Sequence, residues 1–186
     1  SAAVRRFQLQ TTEVGVANSG IIEFQPDGGD VRFPNGILFG SDTAAANELD
    51  DYEEGDYDAT ITCASGTITV SGSHNRLSYT KIGDVVLVTG TLTISAISSP
   101  AGATTLNLPF TSKDLTDLAG SATQPGLVFL NGDALTDGTF LTTMTIAENA
   151  ATCRIFFIDA GTSTTENIGD DHIAVNSDIH VNLTFK

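Results

Sequence analysis

Between Thr60 and the end of the chain, apolar and polar residues alternate with a period of two in one short segment after another. In the longest segment, residues 86–96, Val86, Val88 and Leu92 share one face, and threonines occupy the other. This spacing places successive side chains on opposite faces of a β-strand and does not fit a helix. Seven or eight such segments, separated by turns rich in Gly, Asn, Asp and Ser, predict an antiparallel β-sandwich over residues 60–186.

The first forty residues have a different pattern. Three very short strand-like segments are separated by the turns Pro-Asp-Gly-Gly and Pro-Asn-Gly. Such a small meander cannot be stable alone, so its apolar side chains need either the following domain or other copies of the chain as partners. We expect other copies, because oligomeric winding is the more economical arrangement. There are six of these side chains: Ile22, Phe24, Val31, Phe33, Ile37 and Phe39.

A strongly acidic segment separates these two parts. Seven carboxylates and no basic residue fall within residues 48–58. We interpret residues 48–59 as a solvated connector or partner contact between a stem (1–47) and a head (60–186). Clustered carboxylates are also ligands for calcium, but the segment lacks the alternating Asp-x-Asp-x-Asp-Gly loop, and we predict no metal site.

The charge balance excludes several classes of partner. With 23 acidic and 8 basic residues, the chain has a net charge of −15. It therefore repels nucleic-acid backbones and anionic membrane surfaces. Its apolar runs are too short for membrane insertion, and no apolar stretch follows Arg5 and Arg6 to form a secretory signal. We interpret the acidity mainly as a source of solubility, with a cationic partner as the alternative.

The sequence offers little support for catalysis. Most carboxylates fall in turns, where Asp is favoured for backbone reasons. Only His74, His172 and His180 are available as histidine bases, and there is no Gly-x-Ser-x-Gly motif or Gly-rich phosphate loop. We predict that the chain is not an enzyme and has no cofactor.

The two cysteines lie ninety residues apart. Cys63 and Cys153 have no CxxC partner and no histidine at zinc-ligand spacing. Cys153 shares strand parity with Ile155 and Phe157, which predicts a small buried side chain. We favour two free thiols, with a disulfide as the alternative.

Three segments carry a resemblance to a known family. They are LDDYEEG at 49–55, YTKIG at 79–83 and LPFTS at 108–112, preceded by FPNGI at 33–37 and SDTAAA at 41–46. In this order they resemble the C-terminal modules of phage tail fibres over roughly residues 20–115. After LDDYEEG the family continues Thr-Trp-Thr-Pro, whereas this chain has Asp-Tyr-Asp-Ala, which bears on how the connector packs.

The resemblance implies a virion structural protein made in the host cytoplasm. It implies a homotrimer, with a short interwoven β stem that contains the six apolar residues and a jelly-roll-like head. The N-terminal segment, residues 2–16, is expected to contact other virion proteins, unless the chain is a distal fibre fragment. Attachment to a host receptor is the favoured role, and capsid decoration as a structural or head-fibre protein is the alternative.

Any receptor contact is expected in polar loops of the head. The loops 131–138 and 163–171 offer many hydrogen-bonding groups with little apolar surface. We predict contacts to a host surface glycan or protein from Asp133, Asp137, Thr164 and Asn167.

Overall fold

A computed structural model describes residues 37, 49, 51–114, 124–131, 140–159, 164–167 and 173–186. The chain divides into two compact units, Ser1–Glu48 and Leu49–Lys186. In the first unit only Ile37 is described, as a half-buried residue in an isolated β-bridge. The other five residues predicted for the stem interface lie outside the described residues.

The second unit is an antiparallel β-sheet structure, which confirms the all-β prediction. The described residues contain no helix, and so none that could cross a membrane. Thr111 and Ser112 are suited to cap a single helical turn, but residues 111–114 are not helical and the remainder of that stretch is not described. The described residues form nine strands, in order: β1 Tyr52–Asp58, β2 Ile61–Val70, β3 Arg76–Ile82, β4 Val85–Asn107, β5 Gln124–Asn131, β6 Phe140–Ile146, β7 Thr152–Asp159, β8 Thr164–Asn167 and β9 Asp178–Phe185.

The strand pairings form a closed circuit. From β4 they run through β9, β5, β6 and β7 and return to β4, while β1, β2, β3 and β8 lie outside this circuit. Each of the five pairings is antiparallel, and each therefore reverses the strand direction. After five reversals, the strand direction is opposite to the direction at the start of the circuit. Since the circuit starts and ends in β4, this strand must turn between its contact with β9 at residues 86–93 and its contact with β7 at residues 104–107.

The backbone of β4 and β2 accommodates this turn. Ser99 and Gly102 have φ angles of 40° and 78°, and the register with β2 shifts three times between Cys63 and Val70. Opposite the turn, Gly66 has a φ of 69°, and a Cβ atom there would overlap the Ser99 carbonyl oxygen. Only glycine fits this combination of positive φ and close backbone approach.

The core is formed by the inward face of the alternating strands. In β9, Ile179, Val181, Leu183 and Phe185 are buried, as the alternation predicts, whereas the intervening Asn182 and Thr184 are exposed. Each such side chain contributes about 1.5–3 kcal/mol through its removal from water. The fully buried members from the other strands are Leu77, Val88, Leu92, Ile94, Leu106, Met144, Ile146, Cys153 and Ile155.

The acidic segment differs from the expected connector. Residues 52–58 form β1 and pair along their full length with β3. Basic residues distant in sequence offset its charge, because Arg76 forms ion pairs with Asp56 and Asp58, and Lys81 pairs with Asp51. Tyr57 packs against the core and donates a hydrogen bond to the Asn107 carbonyl oxygen at 3.1 Å. This part of the segment is therefore an edge strand of the sheet.

Candidate functional site

The three segments of the second unit that carry the resemblance meet at one place in the fold. The β1–β3 register sets Gly55 opposite Tyr79 and Glu53 opposite Lys81. Phe110, from the third segment, packs edge-on against the Tyr79 ring with centroids 5.1 Å apart. The Lys81 ammonium lies 5.6 Å from the centroid of the Phe110 ring. We call Asp51, Glu53, Tyr79, Lys81 and Phe110 the motif cluster.

Polar contacts within the motif cluster satisfy its charged groups. The Tyr79 hydroxyl donates to Glu53 Oε1 at 2.6 Å, and this bond raises the pKa of Tyr79. Lys81 pairs with Asp51, whose carbonyl oxygen accepts a hydrogen bond from the Gly83 N–H at 2.7 Å. Gly55 leaves room for the Tyr79 ring, because a Cβ atom there would lie 2.8 Å from the Tyr79 hydroxyl oxygen. The motif cluster therefore fixes β1 to the sheet by packing and ion pairing.

A second feature lies on the outward face of β4, β6 and β7. A groove of about 340 Å³ is lined by seven residues, which we call the β7 groove: Thr105, Thr145, Ala147, Ala150, Thr152, Arg154 and Phe156. The register aligns Thr105, Arg154 and Thr145 in one row across the three strands. These residues face outward because the alternate positions, including Met144, Cys153 and Ile155, are fully buried.

The chemistry of the β7 groove suits a hydroxylated ligand. The Thr145 and Thr152 hydroxyls can each donate and accept a hydrogen bond, and a guanidinium group lies beside them. The Thr105 hydroxyl donates to the Thr62 carbonyl oxygen at 3.5 Å and can still accept a hydrogen bond. The guanidinium carbon of Arg154 lies 4.4 Å from the centroid of the Phe156 ring, a cation–π arrangement. This contact holds a long side chain beside an aromatic surface. The groove therefore combines apolar and hydrogen-bonding surface, as small-ligand sites do.

The predicted receptor contacts fall partly beside this groove. Thr164 and Asn167 are the first and last residues of β8, so residues 164–167 form an edge strand where we expected a loop. Asn167 stands in register with Phe156, and Thr164 with Asp159. Asp133 and Asp137 lie outside the described residues.

The groove residues themselves were not predicted from the sequence. Ile155 and Phe157 alternate in step with the inward-facing Cys153, and Phe156 lies between them. Because successive side chains of a strand point to opposite faces, Phe156 is expected to face outward. Parity assigns most phenylalanines of the chain to the core, but Phe156 is out of phase with Cys153 and Ile155. That phase difference, together with the neighbouring Arg154, is the sequence signal for an outward aromatic residue.

The histidines are separately engaged. His74 Nδ1 lies 3.1 Å from the Ser73 hydroxyl in the β2–β3 turn. His180 Nδ1 lies 2.8 Å from the Thr91 hydroxyl on the outward face of β9. His172 is not described. Across the part of the chain that the structure describes, no group of three or more His, Cys, Asp or Glu residues could hold a metal ion.

Both cysteines are free thiols in the structure. Cys153 is buried, as predicted, and its sulfur lies 3.7 Å from the Met144 sulfur. Burial raises the pKa of the Cys153 thiol to about 12. Cys63 is half-buried beside the Thr104 hydroxyl, 3.7 Å from its sulfur. Cys153 therefore behaves as a core residue, which does not favour a nucleophilic role.

Comparisons with known proteins give one similarity of fold. No protein-family model and no curated protein sequence matches the chain. Among solved structures, the chain is similar to the Dettilon tailspike protein, with a TM-score of 0.54 and 17% sequence identity. The similarity covers 72% of this chain and 23% of the tailspike, so the chain spans about a quarter of that protein's length.

Proposed function

We propose that this chain is a phage tail-associated virion protein of the tail-fibre or tailspike type, and that it takes part in attachment to the host. The observation that carries the proposal is the fold shared with a phage tailspike over 72% of the chain. The resemblance to tail-fibre modules is a second support, and three of the segments that carry it meet in the motif cluster. The particle, rather than the cytoplasm, is then its working location.

The assembly proposed for this protein is a homotrimer. Residues 1–47 would form the interwoven β stem, with residues 2–16 in contact with other virion proteins, and the strands from β2 onward would form a jelly-roll-like head. The closed circuit of pairings through β4 is compatible with such a head. The apolar residues of the stem, which are too few for a core of their own, supply the argument for association.

The β7 groove is the contact site that we propose for the host receptor, a surface glycan or protein. Its threonines offer hydrogen bonds, and the Arg154 guanidinium, which lies over the Phe156 ring, offers a flat surface against which a sugar ring or side chain can pack. Asn167, which we predicted as a contact from sequence, pairs in register with Phe156. We propose binding without catalysis, and without a metal or cofactor.

A competition experiment tests the proposal. Cells of the host are incubated with the purified protein and then with the phage that carries it, and free phage is counted over time. We expect the protein to slow adsorption in a saturable way, because it occupies the receptor. Unchanged adsorption at saturating protein would contradict a role in attachment.

A second measurement separates the proposal from capsid decoration. Antibodies against the head are mixed with intact virions and located by electron microscopy. Labelling at the tail is expected, and labelling spread over the capsid would favour decoration.

A further inference from the structure

The lining of the β7 groove carries a positive charge. Of the residues that the structure describes, the seven that line the groove include Arg154 and no Asp or Glu, although the chain has 23 acidic and 8 basic residues. The neighbouring carboxylate in sequence, Glu148, lies in the turn between β6 and β7 and is not among the lining residues. The groove is therefore a place on an acidic chain where a negatively charged ligand meets a basic lining.

The net charge of −15 does not prevent such binding. At physiological ionic strength, interactions between exposed charges are largely screened beyond about 8 Å. A charged group in the groove is therefore influenced by Arg154, which belongs to the lining, more than by carboxylates elsewhere on the surface. Those distant carboxylates act mainly on the rate at which an anion approaches.

The position of Arg154 suits the binding of a carboxylate. Its guanidinium carbon lies 4.4 Å from the centroid of the Phe156 ring, a contact that holds the side chain without requiring an acceptor for its N–H groups. A guanidinium has five N–H donors, and a carboxylate takes two of them in parallel hydrogen bonds. Arg154 can therefore bind one carboxylate and keep its contacts with the protein. Such charge-assisted bonds are about twice as strong as bonds between neutral groups.

Hydroxyl groups on both sides of Arg154 suit the rest of a sugar. Thr105 and Thr145 flank it in the register row, on strands about 4.8 Å to either side. The Thr145 hydroxyl can donate and accept, and the Thr105 hydroxyl, which donates to the Thr62 carbonyl oxygen, can still accept. A sugar that carries a carboxylate can thus place its acid group on the guanidinium and its hydroxyls on the threonines.

An acidic peptide fits the groove less well. Peptides are often bound as an added strand, which needs an unpaired strand edge. β7 pairs with β6 along one edge and with β4 and β8 along the other, so residues 152–159 have no such edge to offer. The apolar lining for a peptide side chain is small, since it consists of Ala147, Ala150 and the Phe156 ring beneath Arg154. The groove therefore favours a carbohydrate.

We propose that the β7 groove binds a surface glycan through the carboxylate of an acidic sugar such as a uronic acid, and that Arg154 holds this carboxylate through two parallel hydrogen bonds. A single guanidinium matches one negative charge, whereas a phosphate monoester carries a charge of about −1.5 to −2. This inference rests on the proposed attachment function and names the chemical class of the ligand.

Chemical modification of the host glycan tests the inference. The probe is polysaccharide extracted from the surface of host cells, used as it is, after reduction of its carboxylates to primary alcohols, or after enzymatic removal of its phosphate groups. Its binding to the whole chain of 186 residues is measured by calorimetry. We expect reduction to weaken binding at least tenfold and phosphate removal to leave it unchanged. Equal binding of native and reduced polysaccharide, loss of binding on phosphate removal, or no binding of the native polysaccharide would overturn the inference.

Two variants that conserve charge test whether the contact lies in the groove. Arg154→Lys keeps the positive charge but loses the paired N–H donors, and Arg76→Lys makes the same change on β3. Arg154 is exposed, so the melting temperature should not change. We expect Arg154→Lys to bind the native polysaccharide at least fivefold more weakly and the reduced polysaccharide as the parent does, and Arg76→Lys to match the parent with both. Equal losses in the two variants, or none in Arg154→Lys, would contradict the assignment.

The polysaccharide measurements separate this inference from the proposed function. A protein that blocks phage adsorption but does not bind the polysaccharide would keep its attachment role and refute the acidic-sugar ligand. A protein that binds the native polysaccharide through Arg154 but does not block adsorption would keep the ligand class and refute the attachment role.

Discussion

The two halves of β4 have different surroundings. Residues 85–93 lie between β3 and β9, next to the motif cluster and the ion pair of Lys113 with Asp84. Residues 94–107 pair with β2, and residues 104–107 also pair with β7, beside the β7 groove. We call them the first half and the second half. The turn at Ser99 and Gly102 falls within the second half.

Most residues that resemble a known family and the residues of the β7 groove therefore lie at different halves of β4. Most of the resembling residues of the second unit gather at the first half, where they pack, form ion pairs and hold β1 in place. Ser112 instead forms hydrogen bonds with Ala147 and Ala150, which line the β7 groove. The β7 groove lies at the second half and contains none of them. A family resemblance carried by such residues informs about the fold, and the receptor contact that we propose lies on the other half.

The largest expected effect on stability is at the turn in the second half of β4. Gly66→Ala places a methyl group against the Ser99 carbonyl oxygen at a φ of 69°, whereas Gly83, with a φ of 55°, has open space where a Cβ atom would lie. Positive φ alone costs about 1–3 kcal/mol, and the backbone overlap adds a similar amount. We expect Gly66→Ala to lower the free energy of unfolding by about 4 kcal/mol and Gly83→Ala by about 1 kcal/mol, measured by urea denaturation. Equal losses would show that the close approach at Gly66 is unimportant.

A smaller effect is expected from the buried thiol of the second half. The unfolded Cys153 thiol ionises around its ordinary pKa of 9.0, but the folded thiol does so only at about 12. Its contribution to stability is therefore complete below pH 9 and is lost as the pH rises toward 12. The loss amounts to about 2–3 kcal/mol by about pH 11.

The matched variant for this prediction is Cys153→Ala. Its stability at neutral pH will be lower because a cavity is formed, so the slope of stability against pH is compared rather than the level. The variant should lose less stability between about pH 9 and about pH 11 than the parent. Parallel slopes in thermal denaturation would contradict the assignment. Burial raises the pKa of Tyr57 in both proteins, and the smaller contribution of the Cys153 charge is present only in the parent.

The smallest of the three effects belongs to the motif cluster. Phe110→Ala removes a half-buried ring from Tyr79 and Lys81 and should cost about 2 kcal/mol, less than a fully buried phenylalanine would. Because the cluster is a packing feature, the folded variant should compete for host cells as well as the parent does. A loss of competition without a loss of stability would place the binding chemistry in the first half after all.

Much of the second unit could be predicted from sequence because its strands alternate cleanly. The buried set of β9 and the burial of Cys153 follow directly from a period of two. It could not be predicted in this way that residues 52–58 form a strand, because four carboxylates in seven residues hide the alternation. Their charge is balanced by Arg76 and Lys81, which approach only after β3 has paired with β1.

The candidate site was less accessible from sequence. The β7 groove draws Thr105 from β4, Thr145 from β6 and Arg154 from β7, and only the strand pairings bring them into one row. Polar composition pointed to residues 163–171, and Asn167 does lie in register with the groove residue Phe156. Composition could not reveal that residues 164–167 form a strand, because β8 gains its order by pairing with β7.

Competition by groove variants tests the central claim, host attachment through the β7 groove, most directly. Arg154→Gln with Phe156→Leu alters the groove, and Arg76→Gln makes the same change of charge on β3, at the first half. With all proteins shown to be folded and of the same mass, we predict that the groove variant blocks phage adsorption at least tenfold less effectively than the parent. The Arg76→Gln protein should match the parent. Full competition by the groove variant would contradict the account.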